Sequence, residues 1–394
     1  MVSHARFWTK SGIPKEMIRV LQVVQRLYRG GVEAFLMNNL REIDHDDFTV
    51  DFMSLLAEYS PYAEEVRSYG SRFFCVHANF FAVRQLPVAF WRTYRAMRSG
   101  HYDVVHAEVN LENGMVLLAA FLARVPVRVS HAHNTGLYQA DGGRIRRFVV
   151  NDLSRFLIRK FATVRLACGK EAGAELYGCP PESDTFTVIH NGIPLHRFLI
   201  DESRDDKSFR RSIDVPEGCR LYGNISRFDI QKNLEFAVCV FAEIHRRDPD
   251  SMLVLGGLDG DRHQAVLDKV SELGLVDAVR ILGECSDMAP VYASVDCYIF
   301  PSRFEGLPFA LLEAQASGLP VVASANVPQE VDLGLGLVTF HSLDDDVSIW
   351  ADAAMKSERL TDRARISEVF VRRGYDIKDS CRKLEEIYRT SVAR

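Results

Sequence analysis

Two glutamates with seven residues between them, Glu305 and Glu313, stand in the stretch FPSRFEGLPFALLEAQASGLPVVAS over residues 300–324. The pattern ends a strand at Pro301 and Ser302 and puts Glu305 and Gly306 in the following loop. Pro308 falls where a first helical position would be, since the N–H that proline lacks has no helical partner there. The helix then runs to a stop at Ser317 and Gly318, and Pro320 opens the next strand. A helix start beside a glycine presents unbonded N–H groups and the positive end of the helix dipole, which suits an anion such as a diphosphate. Glu313 lies further along that helix and reaches such a ligand only if it is long, as a nucleoside diphosphate is. When the bond from a sugar's anomeric carbon to a diphosphate breaks, negative charge grows on the leaving oxygens. Charge-assisted hydrogen bonds contribute roughly 1.5–3 kcal/mol each. An arginine, a lysine and a helix start therefore supply a substantial part of a barrier reduction that spans about 8–23 kcal/mol in enzymes.

These groups need a scaffold, and the chain spells one out as strand, turn and helix in repetition, the pattern of parallel sheets with helices on both faces. IRVLQVV (18–24) reads as a buried strand, followed by a Gly30-Gly31 turn and a helix from about Val32 to Ile43. Further strands are expected at FTVDFMSL, DVVHA, VRVSHA, VRLAC and FTVIHN. Ligands of open α/β sheets gather at the carboxyl ends of strands, which places His106, His131, His133, Gly169 and Asn191 toward one crevice. The polar run DESRDDKSFRRS (201–212) reads as a linker, after which the alternation restarts with the strands LYGNIS, MLVLGG, VRILGE, DCYIFPS and LPVVAS. Helices are expected over 233–247, 262–273 and 308–317. The expected organisation is an N-terminal extension (1–16) that forms a disordered or membrane-touching tail, a first domain (17–200) that binds the acceptor, the linker, a nucleotide-sugar domain (213–374), and a helix (375–394) that packs back on the first domain.

A chain of 394 residues exceeds what one core usually supports, consistent with two domains. No run approaches the ~20 apolar residues of a membrane-spanning helix, and the first sixteen residues lack a signal-peptide core, so a cytoplasmic location is expected. The eight cysteines are scattered singly, without the spacing of zinc ligands or a disulfide framework. Cys239, Cys285 and Cys297 sit in or beside apolar runs and are expected as buried thiols. Lys and Arg exceed Asp and Glu by 5 before residue 200 and fall short by 10 after it, which suggests different partners for the two halves. WRTYRAMR (91–98) and GRIRRFVVNDLSRFLIRKF (143–161) would give helices a cationic, partly apolar face suited to an anionic membrane surface, equally a plain solvated face over a core. No nucleic-acid partner is expected.

The 300–324 segment resembles the E-x7-E signature of retaining glycosyltransferases of family 4 (glycosyltransferase group 1), within which the likeness is to bacterial exopolysaccharide and capsule transferases. VLQVVQRLYRGGVEAFLMNNLREID, DVVHAEVN, RVSHAHNT, ACGKEAGAELYG with VIHNGIPLHRF, and NISRFDIQKN resemble further family segments in the same order. The resemblance implies the GT-B fold, two Rossmann-like doubly wound domains facing a central cleft. It also implies transfer, with retention, from a nucleotide diphosphate sugar to a saccharide acceptor, lipid-linked, at the inner face of the membrane. It implies no metal and no cofactor, with UDP as the nucleotide on family frequency. By the same resemblance Glu313 would bond the ribose hydroxyls and Glu305 would lie by the transferred sugar. Backbone N–H groups across Gly306, Leu307, Pro308 and Phe309 would meet sugar or phosphate. Arg227 and Lys232 would grip the diphosphate, and Gly30 and Gly31 would let the backbone approach it. The family's site histidine falls on His131 or His133, with His133 preferred because it lies nearer the loop and precedes Asn134. His106 and Asn191 are further candidates. Pro194 stands where the family has an acidic residue after Asn-Gly-Ile, so no role is carried to it.

Asp248-Pro249-Asp250 and Asp259-Gly260-Asp261 look superficially like metal-binding triplets but read as turns. The competing functions are a nucleotide-sugar epimerase or phosphorylase on the same architecture, which an acceptor-free interconversion would reveal, and a non-catalytic nucleotide-sugar-binding partner. A dehydrogenase is disfavoured because RLYRGGVE lacks a spaced G-x-G-x-x-G.

Overall fold

The computed structural model describes residues 7–8, 14–15, 17–28, 30–80, 82–133, 144–199, 206–285 and 287–393. They form two compact units, one of residues 1–192 with 377–394 and one of residues 193–376.

The first unit is built on a seven-stranded parallel sheet: β1 (Ile18–Val24), β2 (Phe48–Ser54), β3 (Phe73–Cys75), β4 (Val104–Ala107), β5 (Val127–Ala132), β6 (Val164–Ala167) and β7 (Thr187–Val188), in the order β3-β2-β1-β4-β5-β6-β7. β1 is apolar almost throughout because a parallel strand is covered on both faces. Successive side chains still alternate. Leu21, Val23, Val105 and Ala107 enter a cluster with Ala89, Met97, Val116 and Leu117 from the helices over one face. Gln22 and His106, paired in register, take the opposite face. There they meet α1 (Gly31–Glu42) and the C-terminal helix, Ile377–Val392. Within the segment expected as a tail, the short segments 7–8 and 14–15 pair antiparallel.

The second unit repeats the plan with β8 (Arg220–Ile225), β9 (Ser251–Gly256), β10 (Val279–Leu282), β11 (Cys297–Phe300), β12 (Val321–Ser324) and β13 (Val338–His341), in the order β10-β9-β8-β11-β12-β13. Leu221, Val254, Tyr298 and Phe300 join one cluster with Leu311 and Leu312 of α2 (Phe309–Ala316). Tyr222, Leu253, Leu255, Cys297 and Ile299 join another with Phe241 and Trp350. The helices expected over 233–247, 262–273 and 308–317 span Leu234–Arg247, His263–Glu272 and Phe309–Ala316.

Several expectations are corrected. The change of unit falls after Gly192, not at 200, because Ile193, Leu195 and Phe198 are buried in the second unit's core. The polar run read as a linker carries a helix, Asp206–Ser212. Its Arg210 binds the Ser294 and Cys219 carbonyls and the Asp296 carboxylate, at 2.7 Å to the latter. Two strands of the parallel sheets were missed, the short edge strand β3 and the partly exposed β13, whose VTFH lacks a long apolar run. FTVIHN contributes only Thr187–Val188 to the sheet. All eight cysteines are free, and Cys297 is buried while Cys239 and Cys285 are half-buried.

The C-terminal helix crosses the first unit at a point only glycine allows. A Cβ on Gly192 would stand 2.7 Å from the Ile377 backbone and 2.8 Å from Ser380 Oγ. Gly192→Ala is therefore expected to cost about 1–3 kcal/mol, the range for forced overpacking, measured as a lowered urea midpoint with an unchanged slope.

Candidate functional site

His106 and Glu108 lie two residues apart on and just after β4, and His131 and His133 two apart on and just after β5. A strand turns every second side chain to one face, so H-x-E and H-x-H on neighbouring strands bring four polar groups together. All four are buried. His133 Nε2 makes a very short contact with Glu108 Oε2. His131 Nδ1 lies 3.4 Å from the same oxygen, and His106 Nε2 lies 3.1 Å from Oε1 and 3.2 Å from His131 Nδ1. The far nitrogen of His106 shares a hydrogen bond with the Tyr388 hydroxyl at 2.6 Å, and the Gln22 amide donates to that hydroxyl. Phe35 of α1 packs edge-on to His131.

Electrostatics sorts these groups. Burial penalises every charge here, but the imidazoles outweigh it at Glu108 and hold its carboxyl well below the usual range. The converse holds at His133, where the Glu108 carboxylate overcomes burial and raises the pKa to about 10. Burial, with the His133 charge added, pulls His131 down to about 3, and burial also lowers His106. The cluster thus carries one ion pair, Glu108 with His133, beside two neutral imidazoles. His106, Glu108 and His131 also bring three ligand-type atoms within 4.8 Å of one another, a grouping that single-residue spacing did not reveal.

In the second unit the loop after β8 and the loop after β11 are pinned together. Lys232 Nζ lies 2.6 Å from Glu305 Oε1, both side chains largely buried, and sits over the Phe300 ring at 5.4 Å. Gln231 Nε2 donates to the Phe304 carbonyl at 2.9 Å and to Glu305 Oε2 at 3.2 Å. Asn233, left-handed at φ 53°, accepts from Arg303 and donates to the Pro301 carbonyl. Arg227 is more exposed and lies 3.3 Å from Asp229. Pro308 caps α2 in an extended conformation, and a Cβ on Gly306 would meet nothing within 4 Å, so the backbone there is open to an approaching ligand. One turn along α2, Glu313 accepts from the Tyr292 hydroxyl at 3.1 Å. Burial raises its pKa to about 7.

Of the residues singled out in the sequence, the structure gathers Lys232, Glu305, Gly306, Leu307, Pro308, Phe309 and Glu313 on adjoining loops and α2, with Arg227 at their edge. It gathers His106, His131 and His133 in the other unit. Gly30 caps α1 with extended backbone (φ −161°) and Gly31 begins the helix, the Glu33 carboxylate folding to 2.5 Å from where a Gly30 Cβ would be. Asn191 is buried, with its Oδ1 unbonded among the described residues. Asn134 lies outside the described residues. Both acidic triplets sit in turns: Asp248 accepts from the Asp250 N–H, and Asp259 from the Gly260 N–H and the His263 ring. Glu108, Tyr388 and Tyr292 were missed. Glu108 could have been found from the period-two match of H-x-E to H-x-H; Tyr388 had no such signal, being 282 residues from its partner.

Residues 29–197 match the family described as Glycosyltransferase Family 4, and residues 220–356 match that described as Glycosyl transferases group 1. The chain is 32% identical over 382 residues to the putative glycosyltransferase EpsF of Bacillus subtilis (strain 168), covering 95% of this chain and 97% of that one. The chain belongs to glycosyltransferase family 4. A relative from Staphylococcus aureus, the capsular polysaccharide biosynthesis glycosyltransferase CapH, is 22% identical over 376 residues, 94% of this chain and 99% of its own. The crystal structure of Anabaena HepE in complex with UDP and glucose superposes with a TM-score of 0.73 at 19% identity, over 95% of this chain and 100% of that one. The two parallel-sheet units are thus those of a GT-B glycosyltransferase.

The ion pair makes stability depend on pH with a definite sign. His133 holds its proton more tightly folded than unfolded, so its contribution is complete below about pH 6.5 and is lost as pH rises toward 10. Urea unfolding is expected to show a decline over that window, bounded by about 1.4 kcal/mol per pH unit for one proton, which Glu108→Gln removes. Parallel pH profiles for the two proteins would contradict the assignment.

Proposed function

We propose that this family 4 member transfers a sugar from a nucleotide diphosphate sugar, with UDP as nucleotide, to a lipid-linked saccharide in cell-surface polysaccharide synthesis. The observation that carries the reading is the pairing of the loops after β8 and β11. It assembles a lysine, a glutamate, an open glycine backbone and a helix start, with a half-buried carboxyl one turn along the helix. A diphosphate would lie on the helix start and draw on Lys232 and Arg227. The sugar would lie by Glu305, and Glu313 would accept from the ribose hydroxyls. The capsular role named for CapH and the UDP and glucose bound to HepE support the donor and pathway class.

In this mechanism the bond between the anomeric carbon and the diphosphate oxygen breaks. The acceptor oxygen bonds that carbon from the same face, with retention, and its proton passes to the departing diphosphate. Lys232, Arg227 and the first N–H groups of α2 stabilise the charge that leaves, so the reaction is proposed to need no metal. His133, an imidazolium held by Glu108, would be a fixed cation of the first unit rather than a base.

Among the described residues no helix is long and apolar enough to cross a membrane. A lipid-linked acceptor is supported by one face of the first unit, where the adjacent helices Leu86–Gly100, Asn113–Leu122 and Arg144–Phe161 expose Val88, Trp91, Leu122, Leu153 and Phe156. Cations lie among them, Arg95 at 5.2 Å over Trp91 and Lys160 at 5.8 Å over Phe156. Rings beside cations suit an anionic lipid surface.

The test is a calorimetric and thermal-shift screen of the purified protein against UDP, GDP, ADP and their sugar conjugates, with and without a chelator. UDP-type ligands are expected to raise the melting temperature by mass action, chelator or not. Arg227→Ala, Lys232→Ala and Glu313→Ala are each expected to lower transfer at least tenfold while keeping the fold. Binding that needs a divalent ion, or near-normal transfer by all three variants, would overturn the assignment.

Because Glu313 is poised near pH 7, ribose hydroxyls donating to it would favour its ionised form and expel a proton. Calorimetry of UDP binding at pH 7 in buffers of different ionisation enthalpy is expected to show release of about half a proton, absent in Glu313→Gln.

A further inference from the structure

Glu313 is half-buried, and its two carboxyl oxygens are not equivalent. Oε2 accepts from the Tyr292 hydroxyl at 3.1 Å, while Oε1 makes no hydrogen bond among the described residues. Resting on the reading of Glu313 as the group that meets the ribose, we propose that Tyr292 is a positioning residue of the donor site. By holding Oε2 it fixes the carboxylate's orientation and presents Oε1 to the ribose hydroxyls. It thereby sets how strongly the site prefers a ribonucleotide over a nucleotide that lacks those hydroxyls.

Three observations support this assignment. First, the donor is held still. Tyr292 lies on the short helix Ala289–Ser294 and is buried in the core, its ring 6.1 Å from Phe198 and 5.6 Å from Tyr298. Tyr298 is itself fixed, its hydroxyl accepting from the Ile225 N–H at 2.8 Å and donating to the Ile225 carbonyl at 3.0 Å. A ring enclosed in this way keeps its hydroxyl in one place. Second, the helices that carry the pair are tied together by a third group. The Arg359 guanidinium binds the Ser317 carbonyl at the end of α2, at 3.0 Å, and the Tyr292, Ala293 and Val295 carbonyls around the end of the other helix. The backbone thus brings phenol and carboxyl to bonding distance before any ligand arrives. Third, the bond has a chemical direction. Burial and the neighbouring Glu313 charge push the Tyr292 hydroxyl well above its usual range, so it stays protonated and available as a donor. Burial raises Glu313 to about 7, and the Tyr292 bond and the Arg197 charge pull the other way. A donor on the carboxyl favours the ionised form, and hydrogen bonds to an ionised acceptor are roughly twice as strong as those between neutral groups. Phenylalanine at this position would fill the same space and leave Oε2 unpaired.

The test is calorimetric titration of the full chain with UDP and with 2′,3′-dideoxy-UDP, for wild type, Tyr292→Phe, Glu313→Ala and the double variant. Wild type is expected to favour UDP by about tenfold or more, and Glu313→Ala to bind the two ligands alike. Tyr292→Phe is expected to lose about fivefold in affinity for UDP while holding the dideoxy ligand within about twofold, and to lose nothing further when added to Glu313→Ala. A tyrosine that only supported the fold would weaken both ligands equally. In Tyr292→Phe the pH at which UDP binding releases most protons is also expected to move upward, because the lost bond no longer opposes burial. If UDP fails to bind wild type, or Glu313→Ala keeps the preference for UDP, the reading of Glu313 falls. If Glu313→Ala abolishes that preference but Tyr292→Phe keeps it whole, weakens both ligands alike, or adds a further loss to Glu313→Ala, the positioning role falls and the reading of Glu313 stands.

Discussion

A carboxylate buried away from water stays ionised only where positive charge and hydrogen bonds meet it inside the protein. Glu108 is such a group, and much of the first unit follows from satisfying it. Its position two residues after His106, and that of His133 two after His131, turn all four toward the same side of the sheet. Neither α1 nor the C-terminal helix could cover that side with apolar side chains alone, and each brings a fitted group: Phe35 packs against His131, and Tyr388 bonds His106. Removing one member of such a set leaves another buried and unpaired, so these side chains are coupled in stability as well as in space.

The second unit handles charge differently. Lys232 and Glu305 neutralise each other between two strand ends, both largely withdrawn from solvent, and Gln231 braces the carboxylate from its other oxygen. That pair fixes the distance between the loops before any ligand arrives. An incoming diphosphate would compete with Glu305 for Lys232, whereas Arg227, more exposed, is the readier cation. Preorganisation of this kind lowers the cost of ordering a site at the moment of binding.

Both sheets were legible in the sequence because parallel strands covered on two faces leave long apolar runs, and IRVLQVV and DCYIFPS are such runs. β3 and β13 were not, since strands with partly exposed side chains need no such run. The loop and helix from Glu305 to Glu313 were readable from proline and glycine punctuation. The Lys232 to Glu305 contact spans 73 residues and no local pattern encodes it. The unit boundary was placed eight residues late because polarity was taken as the sign of a linker, while burial of Ile193, Leu195 and Phe198 decides where the second core begins. His133 was singled out for its place near a loop; what gives it a distinctive charge is Glu108, a residue passed over as part of a strand end.

The helix Ile377–Val392 belongs to the first unit although the whole of the second lies between them in the chain. On a ribosome, Gln22 and His106 are made long before Tyr388, so the polar side of the first sheet must wait without its cover while some 270 residues emerge after His106. The first unit closes last, and its completion is a long-range event of high loop-closure cost. During that interval the second unit is free to fold as an independent body, and the nascent first unit is the part of the molecule that carries an uncovered sheet face, the kind of surface through which incompletely folded chains aggregate.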